Sequence, residues 1–411
     1  LPTVDTLFCS GGICTLDSGA TINTAEARVV EAHLAQGNVI VKTSDSDVLT
    51  LLSPVRWSSN RSLTLQTDND IQLFGGISAS QGKLIIDNPG HDYQLRKPVN
   101  LSAGQNFRVN GEDFTVITSL GQPGSTTGAD LQGISGNMSG NYALGSDIDA
   151  SATSNWNSDA GFYPISTFGD VDPFTGKLDG LGHVIRSIRI NRPTFSYIGL
   201  FAVLEDASIK HLALEDFQVT GKSDVGSFAG VAEGTTRIAQ SCVVGGSVTA
   251  KDQSAGAYFG ERLQDTEVTD SCILGTSIIA NEMIGGMVGL ESDGTLTVVK
   301  SYAFRLKLLD NDGDPNFIGF LAGGSNAEPP VVSHSLVNYQ NASLVPSDVT
   351  GATTLRLIAL GDLSNYQDAS WDISTDPDSN SLWYLDQSYD HPAPAMLRMF
   401  DLDLTDFLYD S

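Results

Sequence analysis

From residue 38 onward the apolar positions come in short runs that alternate with polar ones. Examples are Asn-Val-Ile-Val at 38–41, Ser-Leu-Thr-Leu at 62–65, Asp-Ile-Gln-Leu at 70–73 and Lys-Leu-Ile-Ile at 83–86. Period-two alternation gives a β-strand one inward face, and the Gly, Asn, Asp and Ser residues between the runs are turn formers. A helical period shows itself clearly only at 24–36, where Asn23 can cap, Glu26 stands at the capping-box position and Gly37 can terminate.

A longer period overlies the strands. Tyr-Ile-Gly-Leu-Phe-Ala (197–202), Val-Gly-Ser-Phe-Ala-Gly (225–230), Ala-Gly-Ala-Tyr-Phe-Gly (255–260), Ile-Gly-Gly-Met-Val-Gly (284–289) and Ile-Gly-Phe-Leu-Ala-Gly (318–323) can be superposed. Gly226, Gly256 and Gly286 are spaced by 30, as are Ser241, Ser271 and Ser301. A unit with two or three short strands and no helix cannot bury its own apolar face. Units stacked in parallel register can. The reading is an all-β right-handed parallel β-helix over about 25–345, in preference to a β-propeller with longer, antiparallel blades. Four segments follow: an N-terminal cap at 1–37, a first β-helical part at 38–140, a repeat part at 141–345 and a C-terminal capping segment at 346–411.

The four cysteines fit this stack. Cys242 and Cys272 hold the same slot in consecutive units, about 4.8 Å apart in a parallel ladder, so they are expected to be bonded or stacked as a reduced pair. Cys9 and Cys14 enclose a small loop that a bond can close. Disulfides imply an oxidising compartment.

Specific motifs appear at 138–200: Met-Ser-Gly-Asn-Tyr-Ala-Leu-Gly-Ser-Asp-Ile-Asp-Ala-Ser, Trp156-Asn157, Gly161-Phe-Tyr-Pro-Ile165, Phe174-Thr-Gly-Lys-Leu-Asp-Gly-Leu-Gly-His-Val-Ile185 and Ile198-Gly-Leu-Phe201. They resemble the GLUG-motif region of large bacterial surface proteins, including filamentous adhesins and some IgA-protease precursors. Residues 29–87, with Val55-Arg-Trp57-Ser-Ser before the alternating runs, resemble the central β-helix of filamentous-haemagglutinin-like adhesins exported by two-partner secretion. The resemblance implies a surface-exposed or secreted β-helical rod. The Asn-Pro-rich secretion signatures of that export route are not found. Leu1 opens the chain without a Met, as a mature or excised part of a larger precursor would.

With 22 basic and 49 acidic residues the net charge is −27. Such a surface repels nucleic-acid backbones and anionic lipid, suits salty extracellular surroundings, and attracts cations. No apolar run reaches membrane-spanning length. Asp310, Asp312 and Asp314, alternating around Gly313, are the candidate Ca²⁺ ligands, with Asp147/Asp149 and Asp376/Asp378 as weaker pairs. Asp45 and Asp47 read as a plain turn. Asp179 and its glycines read as a tight turn, and His183 as structural.

No Gly-x-Ser-x-Gly, His-Glu-x-x-His or phosphate loop is present, and the chain is expected not to be an enzyme. A β-helical polysaccharide-degrading enzyme is the remote alternative. The expected function is that of an adhesin or matrix protein whose loops bind glycan or protein on another cell or in the matrix. Trp156, Phe162, Tyr163 and Phe168, in the loop 151–175, are the candidate contacts. The aromatic-rich stretch 371–399 is expected to cap the last unit. The alternating Phe400, Leu402 and Leu404 suggest a strand added to the chain's own sheet, or donated to another copy to build a filament.

Overall fold

The computed structural model describes residues 7–16, 21–43, 47–166, 172–310, 317–319, 322–325, 330–333 and 335–339, with short pieces at 353–354, 373–374, 383–384, 396–397 and 399–400. The protein is all-β. Among the described residues one α-helix, Thr24–Leu34, accompanies strands that fall into six sheets. The helix starts where the sequence places it. The Asn23 side chain accepts from Ala25 N–H at 2.8 Å while Glu26 reaches back to Asn23 N–H at 3.2 Å, a reciprocal cap. Its buried face of Ala27, Val30 and Leu34 joins the core of the first strands.

Those first strands repeat every 22 residues or so. Leu49–Leu51 pairs in parallel with Ile71–Leu73, and that with Tyr93–Leu95. Val55–Trp57, Ile77–Ala79 and Val99–Leu101 form a second set, and Val39–Thr43, Ser62–Gln66 and Lys83–Asp87 a third. Each strand turns alternate residues inward, as the sequence pattern requires.

The parallel order is then broken. Gly104–Val109 and Glu112–Ile117 form an antiparallel hairpin turned by Asn110 and Gly111, both at positive φ. Parallel pairing resumes from Glu112–Ile117 to Asn141–Leu144, Lys177–Arg186 and Ser208–Glu215. The hairpin reverses the chain, so the sheets do not close into the single unbroken helix expected over 25–345. Two stacks result, and their buried apolar residues form two clusters.

In the second stack like residues do pair with like. Cys242 faces Cys272 and then Tyr302; Val248 faces Ile278; Ala255 faces Ile284 and then Ile318. The glycine column differs by one position from the even spacing of 30: Gly256 pairs with Gly285, not Gly286. Gly285 is the residue that must lack a side chain, because a Cβ there would come within 1.6 Å of Val288 O. The serines behave as their spacing suggests. Each hydroxyl of Ser271, Ser301 and Ser335 accepts the backbone N–H of the serine one unit earlier at 3.1–3.2 Å, and each donates to the carbonyl two residues back. Just before this position the chain bends through the left-handed region in every unit, at Leu181, His211, Gln240, Asp270 and Lys300, with φ from 46 to 54°. None of these is a glycine.

The strands Cys242–Val244 and Cys272–Leu274 are buried on both faces. Val243 and Ile273 point into the second core, while Cys242, Val244, Cys272 and Leu274 join the cluster that contains the first stack. This accounts for their unbroken apolar runs. Both disulfides are formed: Cys9–Cys14 across an antiparallel pair, and Cys242–Cys272 between units with Cα atoms 4.5 Å apart.

Polar contacts tie the two stacks together. Asp179, 1% exposed, accepts hydrogen bonds from the Tyr93 hydroxyl and, at 2.9 Å, from Leu181 N–H, and its Oδ1 lies 3.0 Å from His211 Nδ1. Lys210 lies over the Tyr93 ring at 3.8 Å and donates to Asp92 at 2.9 Å. Buried His183 bridges Val99 O and Asp147 Oδ1, both at 3.0 Å. Burial alone would raise the Asp179 pKa; the neighbouring His211, Lys210 and Tyr93 outweigh it and hold the carboxyl below its ordinary range. The same balance, with hydrogen bonds from His183, Arg186 and Val184 N–H, holds Asp147 well down. Tyr93 is pushed well up by its burial and by Asp179.

Phe400 is buried in the same cluster as the first stack, beside Met399, which lies against Gly182. In the single chain Phe400 therefore packs into its own core. Leu402 and Leu404 lie outside the described residues.

Candidate binding surface

The loop singled out by its aromatics is held from several sides. Thr153, in the turn Ser151–Asn155, donates to Ala150 O at 2.6 Å and accepts from Arg189 N–H at 2.9 Å. Asn157, Ser158 and Asp159 are all left-handed, with φ of 53–68°, and swing the chain round to Gly161. Gly161 cannot carry a side chain: its φ is 81° and a Cβ would come 2.1 Å from Arg189 O. Buried Gln132 then clamps Tyr163 on both backbone groups, donating to its carbonyl at 3.0 Å and accepting its N–H at 3.1 Å.

This geometry separates the four aromatic candidates. Phe162 is fully buried in the second core, so it cannot be a ligand contact. Aromatic residues in loops read alike whether they point in or out, and here Phe162 N–H donates to Arg189 O at 2.8 Å, pinning that residue against the sheet. Trp156 stacks on Phe162, centroids 6.3 Å apart, and is half-buried. Tyr163 is half-buried with the Arg192 guanidinium 4.6 Å over its ring. Burial draws the Arg192 pKa down, against the pull of Tyr163. Phe168 lies outside the described residues.

Two aromatics that the sequence reading passed over complete the surface. Phe195 is 61% exposed and Tyr197 40%. Phe195 N–H bonds to Arg192 O at 2.9 Å, and Phe195 O accepts Lys222 N–H at 2.7 Å, so the aromatics and both cations share one edge. Tyr197 has a φ of 62°, a strained conformation for a bulky residue. Gly230 makes it feasible, since a Cβ there would meet the Tyr197 backbone at 2.3 Å. The arrangement is two exposed rings beside two cations on a rigid backbone. Such a surface can stack on apolar sugar faces or grip a peptide, and its described residues include no nucleophile–base pair.

The carboxylate pairs proposed for a cation are otherwise engaged. Asp147 serves His183 and Arg186, and Asp149 accepts Ser151 N–H at 2.9 Å. The Asp310 side chain, Asp312, Asp314, Asp376 and Asp378 lie outside the described residues. Among the described residues no three His, Cys, Asp or Glu side chains gather as a metal site.

An all-β stack with a rigid aromatic edge over residues 132–222 coincides with a known family region. Residues 128–245 match the N-terminal region of the M26 IgA1-specific metallo-endopeptidases. The expectation that this chain stands apart from enzymes is thereby corrected: part of it is similar to a region of a peptidase family, a relation that catalytic motifs alone could not reveal because the matched part is the N-terminal one. A relative is halomucin of Haloquadratum walsbyi, 39% identical over 160 residues. That alignment covers 35% of this chain and 2% of halomucin, so the chain spans a very small part of its relative. No solved structure matches the chain.

Proposed function

We propose that this chain is a display segment of a larger extracellular or cell-surface protein. Its units would wind as right-handed parallel β-helical stacks of the GLUG and haemagglutinin-like kind, holding the edge formed by Tyr163, Arg192, Phe195 and Tyr197 toward a glycan or protein partner. The observation that carries this reading is the exposure of Phe195 and Tyr197 on backbone held by bonds to Arg192, Lys222 and Ser223 and by the close approach of Gly230. Large rings left in water at a strained, tightly supported position are better explained by contact with a partner than by folding. The similarity to an N-terminal region of IgA1-specific endopeptidases and to halomucin supports a place outside the cell, as do two disulfides.

The test is a glycan panel containing neutral and acidic members, probed with the purified chain and with a Phe195→Ala/Tyr197→Ala variant. Loss of two stacking rings should weaken any bound glycan at least about tenfold, about 1.4 kcal/mol. Equal binding by the two proteins would remove the basis of the proposal.

A further inference from the structure

One sheet of the second stack ends in an edge where cations gather in this acidic chain. The strands Arg189–Asn191, Gln218–Gly221, Ser247–Ala250 and Ser277–Ala280 pair in parallel, rung over rung. Their residues include no Asp or Glu, as is also true of the strand sets Leu49–Leu51 and Val55–Trp57 of the first stack, and the next rung, Tyr302–Asp310, ends in Asp310. The side chains turned outward are Arg189, then amides and hydroxyls such as Gln218, Thr220, Ser247 and Thr249, and the apolar Ile279, half-buried to exposed.

The edge where these strands end carries Arg192, Lys222 and Lys251. Gly221 pairs with Ala250, so exposed Lys222 and Lys251 follow on adjacent rungs, and Asp252 N–H donates to Lys222 O at 2.8 Å. Like charges on neighbouring rungs repel. The nearest relief is Asp252, 3.9 Å from Lys222 Nζ, with both side chains about half exposed. Exposed Glu282 follows on the next rung. The aromatic edge is continuous with this one through the Phe195–Lys222 backbone bond.

We propose that this face and its Arg192–Lys222–Lys251 edge bind a chain of acidic sugars. The inference rests on the display reading above and names its ligand class. The cations pair with sugar carboxylates, the hydroxyl and amide side chains meet sugar hydroxyls, and Phe195 and Tyr197 stack on sugar rings. Rungs spaced by about 4.8 Å repeat these groups in step with an extended polymer. A polymer with one charge per sugar suits a few spaced cations; the dense charge of a nucleic acid is repelled by the remaining surface.

The experiment is affinity electrophoresis of the whole chain through polygalacturonate, neutral dextran or duplex DNA at low and physiological salt. Three proteins are compared: the natural chain, Lys222→Gln/Lys251→Gln and Phe195→Ala/Tyr197→Ala. Both lysines are exposed, so the first variant should keep its fold, which circular dichroism would check. The expected result is retardation by polygalacturonate, weakened at least tenfold in the lysine variant and reduced by salt, with no retardation by dextran. Retardation of the lysine variant equal to that of the natural chain overturns the proposal, as does equal retardation by DNA, which would mean unselective charge attraction. If the natural chain binds dextran and only the aromatic variant loses binding, the acidic-sugar inference falls and the display reading stands. If none of the polymers retards the chain, the inference falls, and the glycan panel decides the display reading separately.

Discussion

Replacing Asp179 by Ala should loosen the join between the two stacks. Its buried carboxylate accepts from the Tyr93 hydroxyl and Leu181 N–H, lies 3.0 Å from His211 Nδ1, and has Lys210 Nζ at 3.9 Å. Each hydrogen bond to a charged group contributes roughly 1.5–3 kcal/mol, and a member removed from a buried network strands its partners. These effects overlap, so the expected loss is about 3–5 kcal/mol rather than their sum. Tyr93→Phe, which removes one of the bonds, should cost about 1.5–3 kcal/mol. Because both changes break the same bond, the double variant should cost less than the sum, with a coupling on the order of 1–2 kcal/mol.

Urea unfolding followed by tryptophan fluorescence measures all four proteins. The same carboxyl sets a pH signature. Its folded pKa is depressed, so its contribution is complete above the unfolded value near 3.9 and is lost as pH falls through the folded one. The natural chain should therefore weaken more steeply below about pH 4 than Asp179→Asn. An Asp179→Ala loss below about 1 kcal/mol, the range of an exposed ion pair, would refute the argument that this network joins the stacks.

Three further outcomes are expected. Cys242→Ser/Cys272→Ser opens a 30-residue loop and should lower stability by about 3–4 kcal/mol on loop entropy, measured by urea unfolding against the natural chain. Arg262 and Glu291 form a wholly buried ion pair at 3.2 Å on adjacent rungs; Arg262→Met alone should cost about 3–5 kcal/mol, and adding Glu291→Leu should recover much of it, as thermal melts would show. Burial, followed by the charges of Glu205 and Glu261, raises the Glu233 pKa. The folded state therefore holds that proton more firmly, and its charge opposes folding once pH exceeds the folded value. Glu233→Gln should stabilise the chain at pH 7 and lose that advantage near pH 4, as paired melts at the two pH values would show.

The sequence discloses features that are local or strictly periodic. The Asn23/Glu26 cap marks the helix, and the spacing of Ser241, Ser271 and Ser301 marks a column of like residues, which the structure shows to be hydrogen-bonded. The slot shared by Cys242 and Cys272 marks their contact, bonded or reduced, and the structure closes it as a bond. The bend recurring in each unit leaves no such trace, because Leu181, His211, Gln240, Asp270 and Lys300 adopt the left-handed region through their surroundings and not through residue type. The Asp179 hub joins residues 86 positions apart and cannot be read from a window. Inward Phe162 and outward Phe195 differ only in which side of the sheet the chain has reached, which a lone aromatic does not record. The reversal at 104–117 was missed for a related reason: an Asn-Gly turn between two runs of alternating residues marks a hairpin, but nothing nearby says that the parallel order must yield to it.

The serine ladder has a consequence for how such a molecule can change in length. Each hydroxyl engages only the rung beside it. A whole unit duplicated in the gene would find its donors and acceptors already matched at both seams, whereas an insertion of a few residues within a strand would break the match at its own rung. Growth of this architecture is therefore quantised, and tandem duplication is its cheapest mutation.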